Sequence, residues 1–187
     1  MALASNLKNM ALSLTLVCLV CSAVLGAAYA ITKDSIDAAA VEKLNKSLLS
    51  VMPQFSSVDR TEAGDVCGYI GRDAAGAPVG YAFETETVGF GGPLRLIVGI
   101  TPDGQIYNTT VLSHNETPGL GAKCTSDAKF MGQWKGMDLS SCNLAVRQDG
   151  GDIDAITAST ITSRAYTRAV ARAVEAFNQL KEEQSNE

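Results

Sequence analysis

A chain of 187 residues, 46% hydrophobic and only 19% charged, is long enough for one folded domain with attached segments and too apolar to be disordered. Its net charge of -5 argues against binding to nucleic acid or other polyanions. The chain has one histidine and no phosphate-binding loop, paired-cysteine zinc pattern or Ser-His-Asp set, so we predict no metal ligand and no catalytic group.

The first predicted element is an uncharged run over residues 10–31 that is rich in Leu, Val and Ala. About 20 apolar residues span a bilayer, so this run predicts a single transmembrane helix. The alternative is a cleavable signal peptide, because residues 28–30 read Ala-Tyr-Ala, as at a cleavage site. We favour a retained anchor, and the positive-inside rule applied to Lys8 places residues 1–9 in the cytoplasm and the rest outside it.

Residues 32–60 are predicted to form a helix and a linker. Apolar residues at helical spacing over residues 36–52 predict a helix that Pro53 ends, and the polar residues 54–64 predict a loop. This helix either continues from the anchor or lies just beyond it.

The remaining elements alternate apolar runs with turn sequences. Four predicted strands cover residues 66–71, 79–87, 94–100 and 106–112, and further elements are a short helix over 126–134, a strand over 144–147 and a long amphipathic helix from Ile161. Strands followed by a terminal helix predict an α+β domain with helices packed on an antiparallel sheet.

Hydroxyl side chains are concentrated just ahead of the last helix, where segment 154–163 reads Asp-Ala-Ile-Thr-Ala-Ser-Thr-Ile-Thr-Ser. The first N–H groups of a helix are unpaired and the helix dipole is positive there, which favours a bound phosphate. On spacing alone, an ordinary N-cap is the commoner explanation of such a run.

This segment resembles the flavinylation motif of FMN-binding domains, Asp-x-x-(Ser/Thr)-Gly-Ala-(Thr/Ser). In that family the last residue carries FMN through a phosphoester bond made by a flavin transferase, which implies Thr160 as the acceptor and Asp154 as the motif acid. Ala158 and Ser159 replace the usual Gly-Ala, and Ser159 and Thr162 are the alternative acceptors. The resemblance implies these cofactor-binding residues: Thr160, Asp154, Thr157, Ser159, Ile161, Thr162 and Ser163.

A second segment, residues 114–123, resembles the His-x-Glu-Thr-Pro-Gly-Leu-Gly loop that packs around the flavin in the same family. Its glycines let the backbone approach a flat ring, and its proline stiffens the turn. A glycine-rich stretch over residues 89–94 also matches the family. These loops add the predicted flavin contacts Glu116, Thr117, Gly119, Leu120, Gly121, Lys123, Gly91 and Gly92.

Taken together, the anchor, the exported domain and both motifs resemble the G subunit of the Rnf complex, the ion-translocating ferredoxin:NAD⁺ oxidoreductase of bacterial membranes. The resemblance implies an FMN-binding domain over residues 61–181 and a C-terminal tail over 182–187. It also implies a complex with the A, B, C, D and E subunits of Rnf in the inner membrane. The FMN would relay electrons to or from neighbouring subunits, including D and the iron–sulfur pair A and E, without independent substrate turnover. The alternatives are the C subunit of a Na⁺-translocating NADH:quinone reductase, which uses the same domain, and an assembly protein without flavin.

The cysteines, the histidine, two aromatic residues and three arginines are interpreted first as structural residues. Cys67, Cys124 and Cys142 would be exported, where disulfides are allowed, but their spacing does not reveal a pairing. Cys18 and Cys21 are interpreted as small apolar residues of the anchor, with a metal or redox role as the alternative. We expect His114 to hydrogen-bond within its loop, Phe130 and Trp134 to lie in the core, and Arg164, Arg168 and Arg172 to form a solvated face, with Arg164 as an alternative partner for a phosphate.

Overall fold

The computed structural model describes residues 7–185, so parts of the predicted cytoplasmic segment and of the predicted tail lie outside the described range. The chain divides into two compact units, Met1–Lys43 and Leu44–Glu187. Residues 182–185 continue the last helix rather than forming a separate tail.

The N-terminal element is one uninterrupted helix, α1 (Leu7–Val51), which includes both the predicted anchor and the predicted second helix. No proline occurs within it. The helix ends just before Pro53, because the residue before a proline avoids helical geometry. In its first part the apolar side chains are exposed, with Leu7 at 83% and Ile31 at 80%. By length and composition, α1 is the one described helix that could cross a membrane.

Six antiparallel strands form one sheet in sequence order. They are β1 (Ser57–Ala63), β2 (Val66–Arg72), β3 (Pro78–Val88), β4 (Pro93–Ile100), β5 (Gln105–His114) and β6 (Met137–Asp138). The helices that follow β5 are the short α2 (Ala128–Gly132) and the long α3 (Thr160–Ser185). The predicted α+β class with an antiparallel sheet is therefore confirmed.

One loop prediction and one strand prediction were wrong. Residues 57–63, predicted as part of a loop, form β1 and pair with β2 along their whole length across a tight turn at Gly64, whose φ is +61°. Residues 144–147, predicted as a strand, form no ladder, because Val146 makes a single parallel bridge to Ile153 and a 3₁₀ turn begins at Arg147. The very short β6 was not predicted at all.

The sheet is covered on both faces. Along β3, Tyr81 and Phe83 pack with α3 in the larger core, whereas Ala82 belongs to a second core that contains Val51 at the end of α1. This division follows from the alternation of side chains along a strand. Gly99 on β4 lets α1 approach, since a Cβ at that position would lie 1.6 Å from the Val51 carbonyl oxygen.

A cluster of aromatic rings lies under α3. Trp134 is fully buried and stacks on Tyr166 with ring centroids 5.3 Å apart, and Phe130 meets both rings edge-on. The Tyr166 hydroxyl donates to Thr109 Oγ1 at 2.8 Å, and burial raises the Tyr166 pKa far above its usual range. The prediction that Phe130 and Trp134 belong to the core is confirmed.

All five cysteines fall in the described part of the chain, and all are free thiols there. Cys124 is fully buried, and desolvation, with the nearby Glu116 as a smaller cause, raises its pKa to about 11. At neutral pH Cys124 is therefore a protonated core residue and a poor nucleophile. Cys67 is partly exposed and its sulfur accepts a hydrogen bond from the Arg60 guanidinium at 2.9 Å.

The arginines of α3 remain at the surface, but each has a partner. Arg164 forms two 2.6 Å hydrogen bonds with the Asp149 carboxylate, so its guanidinium is already engaged by an acid. Arg172 donates to the Glu86 carbonyl at 2.7 Å and Arg168 to the Val88 carbonyl at 3.4 Å. The face that the sequence predicted to be solvated thus attaches α3 to the end of β3 through Arg168 and Arg172, and to the turn at Asp149 through Arg164.

Candidate functional site

A cleft of about 390 Å³ opens where the loop after β3, the loop after β5 and the start of α3 meet. This volume lies within the range of small-molecule sites. The lining residues are Phe90, Glu116, Thr117, Leu120, Gly121, Ala158, Ser159, Thr160, Ile161 and Thr162. Both predicted ligand loops therefore contribute to one cleft.

The backbone turns sharply into α3 just before Thr160. Ala158 has φ +60°, and it is the one described non-glycine residue with a positive φ. The carbonyl oxygen of Ser159 accepts the first hydrogen bond of the helix, from the Ser163 N–H, at 3.0 Å. It also accepts a hydrogen bond from the Ser163 hydroxyl, at 3.0 Å. The Ser163 hydroxyl also accepts from the Ile156 N–H at 2.9 Å, so Ser163 fixes the turn.

The Ser159 hydroxyl is the unusual feature of this turn. Ser159 is only 7% exposed and lines the cleft, yet its Oγ has no hydrogen-bond partner among the described residues. Buried hydroxyls are normally satisfied, because leaving one unpaired costs about 1–3 kcal/mol. An unpaired hydroxyl at the start of a helix is well placed to donate to an anionic group in the cleft.

The left-handed backbone at Ala158 predicts a stabilising substitution. A non-glycine residue there costs about 1–2 kcal/mol, whereas glycine loses roughly 0.5–1 kcal/mol of extra chain entropy on folding. We therefore expect Ala158→Gly to raise the free energy of unfolding by about 0.5–1 kcal/mol in urea titrations followed by Trp134 fluorescence. The control is Ala74→Gly at an exposed turn position without positive φ, which should be neutral or destabilising; equal effects of the two changes would contradict this account.

Glu116 joins the three segments that form the cleft. It is only 5% exposed, and its Oε1 accepts the backbone N–H groups of Phe90 at 2.8 Å and Gly91 at 3.3 Å. Its Oε2 accepts the Thr162 hydroxyl at 2.7 Å, which links both loops to α3. The Glu116 N–H donates to His114 Nδ1 at 3.2 Å, so His114 has the loop hydrogen bond expected for it.

Glycines make this close approach feasible. A Cβ at Gly91 would lie 1.9 Å from the Asn115 carbonyl oxygen, and one at Gly121 would lie 2.3 Å from Glu116 Oε2. Such distances are far below any van der Waals contact, so both positions require glycine for packing. Gly91 therefore shapes the cleft without lining it.

The motif acid Asp154 lies away from the cleft wall. Its carboxylate pairs with Lys129 Nζ at 3.1 Å and with Arg147 Nε at 2.6 Å. These contacts, the Lys129 hydrogen bond foremost, hold the Asp154 pKa below its usual range. Gln133 bonds the backbone N–H and carbonyl of the same residue, so Asp154 anchors the approach to α3.

The structure thus separates the predicted binding residues into two sets. Those brought together in the cleft wall are Glu116, Thr117, Leu120, Gly121, Ser159, Thr160, Ile161 and Thr162. Those that do not line it are Asp154, Thr157, Ser163, Gly119, Lys123, Gly91 and Gly92. The sequence missed Phe90, an aromatic side chain that is 67% exposed between two glycines, and Ala158 as a lining residue.

Comparison with known proteins defines the class of this domain. The family model of the FMN-binding domain matches residues 89–175, a range that contains every lining residue of the cleft. The residues present fit a flavin mononucleotide, because the cleft combines an apolar rim, a close backbone approach at Gly121 and an unpaired hydroxyl at a helix N-terminus. The domain is thus of the FMN-binding class.

Similar sequences then define the family. The chain is 31% identical to the G subunit of the proton-translocating ferredoxin:NAD(+) oxidoreductase complex of Clostridium ljungdahlii, over 87% of each chain. It is also 31% identical to the G subunit of the ion-translocating oxidoreductase complex of Methanosarcina acetivorans, over 91% of this chain and 94% of that one. The chain therefore belongs to the family of G subunits of ion-translocating oxidoreductase complexes.

One solved structure is also similar. The C subunit of the Na(+)-translocating NADH-quinone reductase of Parabacteroides distasonis aligns over 61% of each chain, with 21% identity and a TM-score of 0.47.

Proposed function

We propose that this chain is a membrane-anchored electron-transfer component of an Rnf-type ferredoxin:NAD⁺ oxidoreductase, and that it carries FMN as a phosphoester on Thr160. The observation that carries the proposal is the unpaired, buried Ser159 hydroxyl beside Thr160 in a cleft at the start of α3. Membership of the G-subunit family and the match to the FMN-binding domain support the same function.

The start of α3 suits a phosphoester for electrostatic reasons. Thr160 is the first residue of the helix, is half-buried and lines the cleft. The unpaired N–H groups and the positive end of the helix dipole stabilise negative charge at this position. The Ser159 hydroxyl adds a donor, and Arg164 is not needed because Asp149 already engages it.

The chain's residues then have three tasks. Thr160 supplies the attachment oxygen, the Glu116 hydrogen bonds close the loops around the cleft, and the apolar rim of Phe90, Leu120 and Ile161 excludes water. The flavin, when bound, supplies the redox chemistry, and the protein sets its position and surroundings. A covalent bond would keep the cofactor from being lost on the exported side of a membrane.

The apolar first part of α1 and the family support a membrane setting. The first part of α1 would anchor the chain in the bacterial inner membrane with residues 1–9 in the cytoplasm and the FMN domain outside. The A, B, C, D and E subunits of Rnf would be its partners, and a flavin transferase would install the cofactor. The alternative is the C subunit of a Na⁺-translocating NADH:quinone reductase, which quinone-dependent rather than ferredoxin-dependent activity of the purified complex would indicate.

The decisive experiment is coexpression of the full-length chain with a flavin transferase, followed by intact mass and in-gel fluorescence after denaturation. Wild type should show a fluorescent band that is heavier by FMN minus one water, and Thr160→Ala should show neither. The matched control is Thr125→Ala, which removes an exposed hydroxyl outside both the motif and the cleft and should still be modified.

Two other results would change the proposal. An adduct that survives in Thr160→Ala would move the attachment to Ser159 or Thr162. An unmodified wild-type chain would contradict covalent flavin transfer and favour an assembly protein without flavin.

A further inference from the structure

We propose that the buried carboxylate of Glu116 sets the midpoint potential of the flavin in this cleft by holding a fixed negative charge in its wall. The inference rests on the proposed function, because it requires a flavin at Thr160. It assigns Glu116 a role beyond contact with the cofactor, as the residue that tunes how readily the cofactor is reduced.

Hydrogen bonds reach both oxygens of the Glu116 carboxylate. Both oxygens are used, and all three partners are donors: the N–H groups of Phe90 and Gly91 on Oε1 and the Thr162 hydroxyl on Oε2. An ionised carboxylate only accepts, whereas a protonated one would present a hydroxyl donor of its own. The ionised form therefore has a hydrogen-bond donor for each of its two oxygens.

The position of this charge is closely fixed. A Cβ at Gly89 would lie 2.0 Å from Glu116 Oε1, and one at Gly121 would lie 2.3 Å from Oε2, so the two glycines leave room for the carboxylate alone. Among residues 7–185, no lysine, arginine or histidine forms an ion pair with Glu116. Hydrogen bonds hold the charge, and no cationic side chain in the described part of the chain pairs with it.

A fixed negative charge near a flavin lowers the flavin's midpoint potential. Reduction adds electrons to the flavin ring system, so a fixed negative charge beside the ring disfavours the reduced form. Glu116 is only 5% exposed, and a buried charge is screened much less than one at the surface. Glu116 should therefore hold the midpoint potential below the value that the same cleft would give with a neutral side chain.

The test is a spectroelectrochemical titration of the full-length, flavin-bearing chain in detergent at fixed pH and salt. Glu116→Gln removes the charge, while the amide oxygen still accepts from the loop N–H groups and the Thr162 hydroxyl can reverse its role. We expect the midpoint potential to become more positive. The control Glu182→Gln removes the same charge from an exposed position on α3, roughly 33 Å along the helix from Thr160, and should leave the potential unchanged.

A second variant separates charge from shape. Thr162→Val keeps the carboxylate but removes a donor that partly neutralises it, so we expect a shift to more negative potential. A purely structural role for the Glu116–Thr162 bond would move both variants in the same direction. If Glu116→Gln fails to fold or to acquire flavin, the sign of the shift in Thr162→Val decides the question alone.

Failure of the proposed function and failure of this inference give different results. A wild-type chain without covalent flavin contradicts the proposed function, and this inference with it, before any titration. A flavin-bearing Glu116→Gln with the wild-type potential, or a flavin-bearing Thr162→Val whose potential is unchanged or more positive, overturns the inference and leaves the proposed function intact.

Discussion

Replacing Trp134 with alanine is expected to lower the free energy of unfolding by about 3–5 kcal/mol, the usual cost of removing a large buried aromatic side chain. Trp134 is fully buried, stacks on Tyr166 and meets Phe130 edge-on, so no neighbouring group can fill the space without moving α3. The measurement is urea unfolding of the full-length chain in detergent, followed by near-UV circular dichroism.

Two comparison variants make this prediction specific. Trp134→Phe should cost clearly less, because it keeps a ring and also removes the indole N–H, which has no partner among the described residues. Phe90→Ala removes an aromatic ring that is 67% exposed and should change stability by less than about 0.5 kcal/mol. A Trp134→Ala protein as stable as Phe90→Ala would show that the aromatic cluster does not support the fold.

Replacing Gly91 with alanine is expected to open the cleft and abolish flavin loading. The new Cβ would lie 1.9 Å from the Asn115 carbonyl oxygen and 2.7 Å from its carbon, and backbone atoms cannot move aside as a flexible side chain can. Overpacking of this kind costs about 1–3 kcal/mol or more, and it would separate the loop after β3 from Glu116. In-gel flavin fluorescence and urea unfolding followed by Trp134 emission measure the two effects.

The matched control for Gly91→Ala is Gly132→Ala. Gly132 lies in α2, has no positive φ, and has open space where a Cβ would be. Alanine is the better helix former, so this change should be neutral or stabilising, with normal flavin loading. Full loading of Gly91→Ala would mean that the loop after β3 can move without loss of the site.

The sequence predicted the elements whose residues carry a clear pattern. The four central strands were recognised from alternating or continuous apolar runs, and α3 from its apolar face. β1 was missed because its sequence, Ser-Val-Asp-Arg-Thr-Glu-Ala, is polar at most positions and shows no apolar alternation. It is an edge strand, and most of its side chains are exposed. β6 has only two residues, too few for any periodicity.

The candidate site was predicted where motif residues are close in sequence and missed where folding brings in distant partners. The motifs located the two loops, but the ion pairs of Asp154 depend on Lys129 and Arg147, which only the folded chain places beside it. The glycine-rich stretch was predicted to contact the flavin through Gly91 and Gly92, but nothing in its pattern indicated that the Phe90 side chain lines the cleft. The bonds from Glu116 to Phe90 and Thr162 likewise cross 26 and 46 residues.

The contacts between α3 and the end of β3 also bear on how the domain avoids self-association. Strand β2 stops pairing with β3 at Glu84, whereas β3 continues to Val88, so this last stretch has no strand beside it on that side within the described residues. Exposed strand edges of this kind are templates on which another chain can add a strand and start aggregation. Arg172 and Arg168 already occupy the outward carbonyls of Glu86 and Val88. Because these two carbonyl oxygens already accept hydrogen bonds from the arginines, a strand of another molecule would find no free acceptor there. Pairing between molecules is therefore disfavoured at this edge.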